Sequence, residues 1–510
     1  MRQSAIFVLL VLSSLLTQAM AQSEPKHQML QAPQTTNTWF VQGERQVQSR
    51  LSFWQMQPAK ARNIILFVGD GMSLSTLTSA RILEGQQQGS AGEEHQSVVD
   101  RLPLSALVKT YNVNAQVPDS AGTMSAMMTG LKTNAGVISV SEQVQRGDCE
   151  TQHSEKPLTT LLELAELKGK ATGIVSTTRL THATPAAAYG RAADRDWEHD
   201  GMLSSAARKY GCIDLAQQLV DFLPRMRKRW PEATYLDGLD VVLGGGRDAF
   251  VANDYKRPGA REDGQNLIKR WQQRFPKGQV LYSSSDLDQL DSPIQGPLFG
   301  LFADSHMSYE LDRDAKAQPS LAQMTQTALS ALTPHPNGFV LIVEAGRIDH
   351  GHHANNASRA LYDTLALFEA IEIAQNEMDE QTLLLVTADH SHSMTMSGYS
   401  KRGNPILGKA SQSKGNFERA ADGLPYTTLG YMNGPSSRTP RRDLSKVDTE
   451  APGFLQPALV PLESETHGGE DVVLYSNRLG WPMVTGTFEQ HEIFHIMRRA
   501  LGSKSPSIAP

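Results

Sequence analysis

Three apolar runs in this chain each break at a carboxylate. Asn63 to Val68 leads into Gly69-Asp70-Gly71, Phe339 to Val343 into Glu344, and Thr382 to Val386 into Thr387-Ala388-Asp389. Short runs rich in Val, Ile and Leu, closed by turn residues, read as strands buried on both faces, the pattern of a parallel sheet covered by helices. Open sheets of that kind bind ligands at the C-terminal ends of their strands. A carboxylate delivered to such an edge is costly unless it is paired or metal-bound. The chain is therefore expected to fold as an α/β protein with a charged centre at one edge of its sheet.

The residues after the second run sharpen that expectation. Glu344 to His353 holds two carboxylates, Glu344 and Asp349, and three imidazoles, His350, His352 and His353. If this segment is helical, Asp349 and His353 stand at i and i+4, about 6 Å apart at Cβ. That suits zinc, which accepts imidazole nitrogen and carboxylate oxygen. The third run ends in Asp389-His390-Ser391-His392, and a late loop adds His467. One such loop reads equally as metal ligands or as a polar loop with histidines satisfied by neighbours. Three together point to a multi-metal site, and a thiolate-free donor set suits zinc and magnesium.

A pair of zinc ions about 4 Å apart suits in-line displacement at phosphorus. The remaining parts for that chemistry are also in the chain. After Pro118, Asp119 and Ser120 stand at the expected start of a helix. There a serine serves either as a simple cap or as a nucleophile facing an anion. Arg191 and Arg195 are the nearby guanidiniums able to clamp phosphate oxygens.

Length and charge set the remaining bounds. With 510 residues the chain can bury a large core, and a net charge of −6 argues against nucleic acid as a bulk electrostatic partner. Arg2, the apolar stretch Ile6 to Leu16 and Ala19-Met20-Ala21 read as a signal peptide over residues 1–21, which predicts export to the periplasm or the medium. No membrane or lipid anchor is expected. Export favours a disulfide between the two cysteines, Cys149 and Cys212. It would be worth about 4 kcal/mol on the chain-entropy account. Thr36 to Trp54 reads as a surface helix or an arm. Phe250 to Gly300 is polar and punctuated by Pro and Gly, and about 399–461 reads as an inserted surface subdomain in a single domain spanning 22–510.

These residues resemble alkaline phosphatases. The resemblance rests on Asn63 to Met72, Asp119 to Thr123, Ala183 to Pro185, Glu344 to His353, Thr387 to His392 and Thr466 to Asp471, in that order. It implies a large central, mostly parallel sheet flanked by helices, with a crown-like inserted subdomain. It also implies a homodimer that hydrolyses small phosphate monoesters at alkaline pH with two zinc ions and one magnesium ion. Carried over by position, Asp349, His353 and His467 would hold one zinc. Asp70, Asp389 and His390 would hold the other, which also contacts Ser120, and Asp70, Thr184 and Glu344 would hold magnesium. Ser120 would be phosphorylated transiently, Arg195 rather than Arg191 would bind the phosphate, and His392 would orient Asp349. His182 and His350 match the animal subgroup, where many bacterial members carry Asp and Lys, and the cysteine pair matches a disulfide of that subgroup. The calcium site of the animal enzymes is not expected, because its acidic positions are Ala303 and Gln318. Sulfatases on the same sheet need a C/S-x-P-x-R setting that Asp119 to Thr123 does not provide, and phosphodiesterases of the group use Thr as nucleophile.

Overall fold

The computed structural model describes residues 33–56, 59–253, 259–413 and 415–502. The expected signal peptide lies outside them. Ten strands make one sheet: β1 (Asn63–Gly69), β2 (Leu104–Lys109), β3 (Ala171–Arg179), β4 (Val241–Gly245), β5 (Gln279–Leu281), β6 (Leu298–Leu301), β7 (Phe339–Ala345), β8 (Thr382–Ala388), β9 (Val472–Ser476) and β10 (Thr487–Glu489). Their spatial order is β10-β2-β9-β8-β1-β7-β3-β4-β6-β5. Every neighbouring pair is parallel except those made by β9, which runs against both β2 and β8. The fold is α/β with helices flanking a mostly parallel sheet.

The three apolar runs are its middle. β1, β7 and β8 are buried at every residue, as strands covered on both faces must be. Register then assembles the acids. Gly69 pairs with Ala345 on one side and Ala388 on the other, so Asp70 and Asp389 leave the sheet at one level, while Glu344 sits opposite Val68 and Ser176.

Two strands, β5 and β6, fall in the stretch read as polar and punctuated. At three and four residues on the sheet margin they are too short for a periodic signal. The segment expected to be a surface helix or arm is a helix, Thr38–Phe53, but not a surface one. It buries Phe40, Glu44, Val47 and Leu51 and packs on the last helix, Glu492–Ala500. Glu44 accepts from Arg498, Arg499 and His495, which removes the apolar stripe a sequence reading looks for. Cys149 and Cys212 are joined as a disulfide, with Cα atoms 6.1 Å apart. Between β8 and β9, Met394–Met396, Leu429–Gly434 and Ala458–Pro461 form a separate three-stranded sheet. No helix of the described residues is long and apolar enough to cross a membrane.

Candidate active site

Asp70 turns off β1 with Gly71 at φ +69°, where a Cβ is disfavoured. Space excludes one as well, since it would lie 2.3 Å from the His392 ring. The Gly71 amide donates to Asp389 Oδ1 at 2.9 Å, tying the ends of β1 and β8 together. After Pro118, Asp119 takes the N-cap position of the helix Ser120–Thr129 and accepts from the Gly122 amide at 3.1 Å. Ser120 is thereby left free of a capping role. Its hydroxyl, on a residue only 2% exposed, lies 3.1 Å from His390 Nε2 and 3.4 Å from Asp70 Oδ1.

The residues expected to bind metal converge in three groups. The segment after β7 is helical, Arg347–His353. His353 Nε2 and His467 Nε2 each lie 3.3 Å from Asp349 Oδ1 and 3.2 Å from each other. A tetrahedral ion with ligands at the usual zinc distances has edges of about 3.3 Å, so these three atoms outline one face. In the second group His390 Nε2 lies 3.3 Å from Asp389 Oδ2 and 3.5 Å from Asp70 Oδ1, with Ser120 Oγ beside them. All three histidines direct Nδ1 to a backbone carbonyl, His353 to Glu465, His467 to Pro118 and His390 to Ser391. That arrangement keeps a hydrogen on Nδ1, so that each ring, once Nε2 gives up any proton, turns a lone pair inward. The third group is marked by missing partners: Asp70 Oδ2, Thr184 Oγ1, Glu344 Oε1 and His182 Nδ1 are buried without a hydrogen bond. Buried polar atoms are rarely left so without an ion or water to satisfy them.

The electrostatics agree. Burial raises the Asp70 carboxyl well above its ordinary range, and Asp389, Asp349 and Glu344 raise it further by repulsion. Burial lifts Glu344 to about 7 against the Ser176 and Thr178 hydroxyls that hold it. Asp349 is the exception: burial would raise it, but His353, His392 and His467 outweigh burial and hold it well below its usual range. His392 donates from both nitrogens, to Asp349 at 2.7 Å and to Glu465 at 2.5 Å. The two carboxylates overcome burial and hold it up to about 10, so it is a cation between two acids.

Arg195 Nη1 donates to Asp119 Oδ2 at 3.0 Å, and its Nη2 lies 3.3 Å from His182 Nε2. Arg191 is turned away and donates to the Leu158 carbonyl and to Glu163. Burial would raise Asp119, but Arg195 and the Gly122 and Gly136 amides hold it below its usual range. His182 and His350 stand with ring centroids 5.6 Å apart. His350 Nδ1 accepts from Arg347, whose guanidinium lies 3.8 Å over the Tyr309 ring. Burial pushes His350 down to about 3, so it enters the site neutral. The sequence reading assigned no site role to Glu465, Arg347 or His306, whose ring lies 4.3 Å from His350. For Glu465 the signal was its place two residues before His467. For His306, alone in a loop, there was none. His352 in the same stretch is a core residue, bonded to Thr76 and Tyr431.

Comparisons with known proteins identify the family. The sequence model of the alkaline phosphatase family matches residues 61–503. The tissue-nonspecific alkaline phosphatase of Gallus gallus is 40% identical over 478 residues, 91% of this chain and 88% of that protein. The alkaline phosphatase of Gadus morhua is 39% identical over 483 residues, 92% of this chain and 97% of that one. Among solved structures, the alkaline phosphatase of Thermus thermophilus superposes with a TM-score of 0.61 at 25% identity, covering 88% of this chain and 93% of that chain. The enzyme of the Antarctic bacterium TAB5 superposes with 0.58 at 20% identity, over 87% and 99%, a likeness of fold. The chain belongs to the alkaline phosphatase family and is a phosphatase.

Proposed function

We propose that this enzyme hydrolyses phosphate monoesters through a phosphoserine on Ser120, with two zinc ions and one magnesium ion in its site. The observation that carries this reading is the position of Ser120 Oγ, within 3.5 Å of both Asp70 and His390 while Asp119 has taken over the cap. Asp349, His353 and His467 would hold one zinc, Asp70, Asp389 and His390 the other, and Asp70, Thr184 and Glu344 the magnesium. The donor types, the roughly tetrahedral spacings and the orphaned oxygens fit those ions. When bound, they supply Lewis acidity and neutralise charge for displacement at phosphorus.

The chain's own residues bring substrate and nucleophile together. Arg195, anchored on Asp119 next to Ser120, grips the non-bridging oxygens bidentately. The first turn of the helix Ser120–Thr129 presents its positive end to the same phosphate. Neutral His350 and His182 line the pocket without the permanent charge a lysine would bring, which favours release of phosphate. His392 holds Asp349 in place. The substrates would be small monoesters, since these residues address the phosphate alone. The protein would be exported to the periplasm or the medium, dimeric, and covered at about 399–461 by the inserted subdomain.

The test is Ser120→Ala, assayed on a monoester, a diester and a sulfate ester. Monoesterase activity should fall by at least about 10³-fold, and acid-quenched wild-type enzyme should carry phosphate on the Ser120 peptide. A variant that keeps wild-type monoesterase activity would overturn the reading.

A further inference from the structure

We propose that Glu465 is a positioning residue that preorganises all three ligands of the Asp349–His353–His467 site. The proposal rests on the metal reading of that site given above. Glu465 is 1% exposed, and every part of it is engaged near the same centre. Its Oε2 accepts from His392 Nδ1 at 2.5 Å, and His392 Nε2 donates to Asp349 Oδ1 at 2.7 Å. That Asp349 oxygen is the atom lying 3.3 Å from both His353 Nε2 and His467 Nε2.

The backbone of Glu465 holds the second ligand. Its carbonyl accepts from His353 Nδ1, and its amide donates to the His353 carbonyl at 3.0 Å. The third ligand, His467, follows two residues later and pairs with His392 across a short antiparallel bridge. Oε1 of Glu465 is fixed by the Ser393 amide at 2.7 Å and its hydroxyl at 2.5 Å. One buried residue thus reaches Asp349 through an imidazole, His353 through its main chain and His467 through the chain itself.

The physical need is clear at His392. An imidazole bonded at one nitrogen can still turn about its Cβ–Cγ bond, whereas one bonded at both cannot. Glu465 therefore sets where Asp349 Oδ1 points. Glu163 is the contrast. It is equally buried, but its partners are Arg191 and Arg229, and it orders no ligand.

The experiment titrates zinc into metal-free wild-type protein, Glu465→Gln, Glu465→Asp and Glu163→Gln, with a competing chelator and a melting curve for each. Glu465→Gln keeps an acceptor for Ser393 but turns an amide donor towards His392. One zinc equivalent should weaken by about 10- to 100-fold in Glu465→Gln, less in Glu465→Asp, with the other unchanged. The weakened equivalent should be the one missing from His353→Ala and retained in His390→Ala, and excess zinc should restore kcat. Glu163→Gln should lower the melting temperature without favouring either site. Equal zinc affinity in Glu465→Gln and wild type, or equal loss at both sites in step with lost stability, would overturn the proposal. A wild-type protein that takes up no zinc would instead remove the metal reading itself, and this proposal with it.

Discussion

Two buried charged clusters in this protein solve the same problem in opposite ways. Between the first and last helices, Glu44 is 1% exposed and takes hydrogen bonds from Arg498, Arg499 and His495, which are 4%, 7% and 0% exposed. At the C-terminal edge of the sheet, Asp70, Glu344, Asp349 and Asp389 are as deeply buried. Among the described residues the imidazoles that carboxylates hold above their ordinary range, His392 and His353, both face Asp349, and neither donates to Asp70, Glu344 or Asp389. Where the chain supplies its own cations the cluster is a clamp. Where it leaves acceptor oxygens without partners, a proton, a water or an ion has to satisfy them. The difference separates a structural ion network from a candidate metal centre without reference to any relative.

The largest way to break this comparison is to remove the ions. A chelator should abolish monoesterase activity, by at least about 10³-fold, and leave the terminal clamp folded. Zinc with magnesium should restore activity. Full activity in a protein verified as metal-free would show that the sheet edge is balanced by the chain after all. Next in size is Glu44→Gln, which leaves two buried arginines without their carboxylate. It should cost about 3–5 kcal/mol of stability by denaturant unfolding, with kcat per folded molecule unchanged. A loss under about 1 kcal/mol would mean the clamp is wetter than its burial implies.

Acidity should pull the two clusters in opposite directions. His495 is pushed down to about 4, burial being the first cause. The unfolded chain then takes up the proton first, and the clamp loses stability as pH falls from about 6.5 through 4. Glu344 is lifted to about 7. The folded metal-free protein holds that proton more tightly than the unfolded chain, so stability falls as pH rises through 7. The loss is on the order of 1 kcal/mol between pH 6.5 and 8. Unfolding of metal-free and metal-loaded protein across that range should show the extra slope only without metal, since Glu166, Asp240 and Asp363, also raised to about 8, 7 and 8, act in both. Parallel curves would refute it. The smallest effect sharpens the contrast. Calcium should do nothing, because Ala303 offers no side-chain ligand and the Gln318 carbonyl already accepts from the Ser308 amide at 2.9 Å. A saturable rise in melting temperature at micromolar calcium would contradict it.

Much of the fold was legible because it is written locally. The apolar runs of β1, β7 and β8, each closed by an acid, carry both the parallel sheet and the level at which its charges emerge. For the turn from Arg347 to His353 the sequence offered only a condition, that a helix there would bring Asp349 and His353 together at i and i+4, and the segment is helical. The margin strands β5 and β6 were not legible, being three and four residues long, and the first helix was misjudged because its buried face carries a glutamate.

What the sequence by itself determined is the inventory, acids and imidazoles at strand ends with a serine and an arginine to serve them. The tertiary structure decided which partner each of near-identical residues finds, including those the family resemblance had already told apart, Arg195 from Arg191 and His392 beside Asp349. Asp119 rather than Ser120 caps the helix, which frees the hydroxyl. Arg195 reaches the site, and Arg191 is spent on Glu163. His392 lies between Asp349 and Glu465, while His352, as deeply buried, bonds Thr76 and Tyr431 in the core. The reason is physical: a residue's chemistry is local, but its protonation and orientation are set by partners from distant parts of the chain, and those partners are brought into contact only when the sheet and its covering helices close.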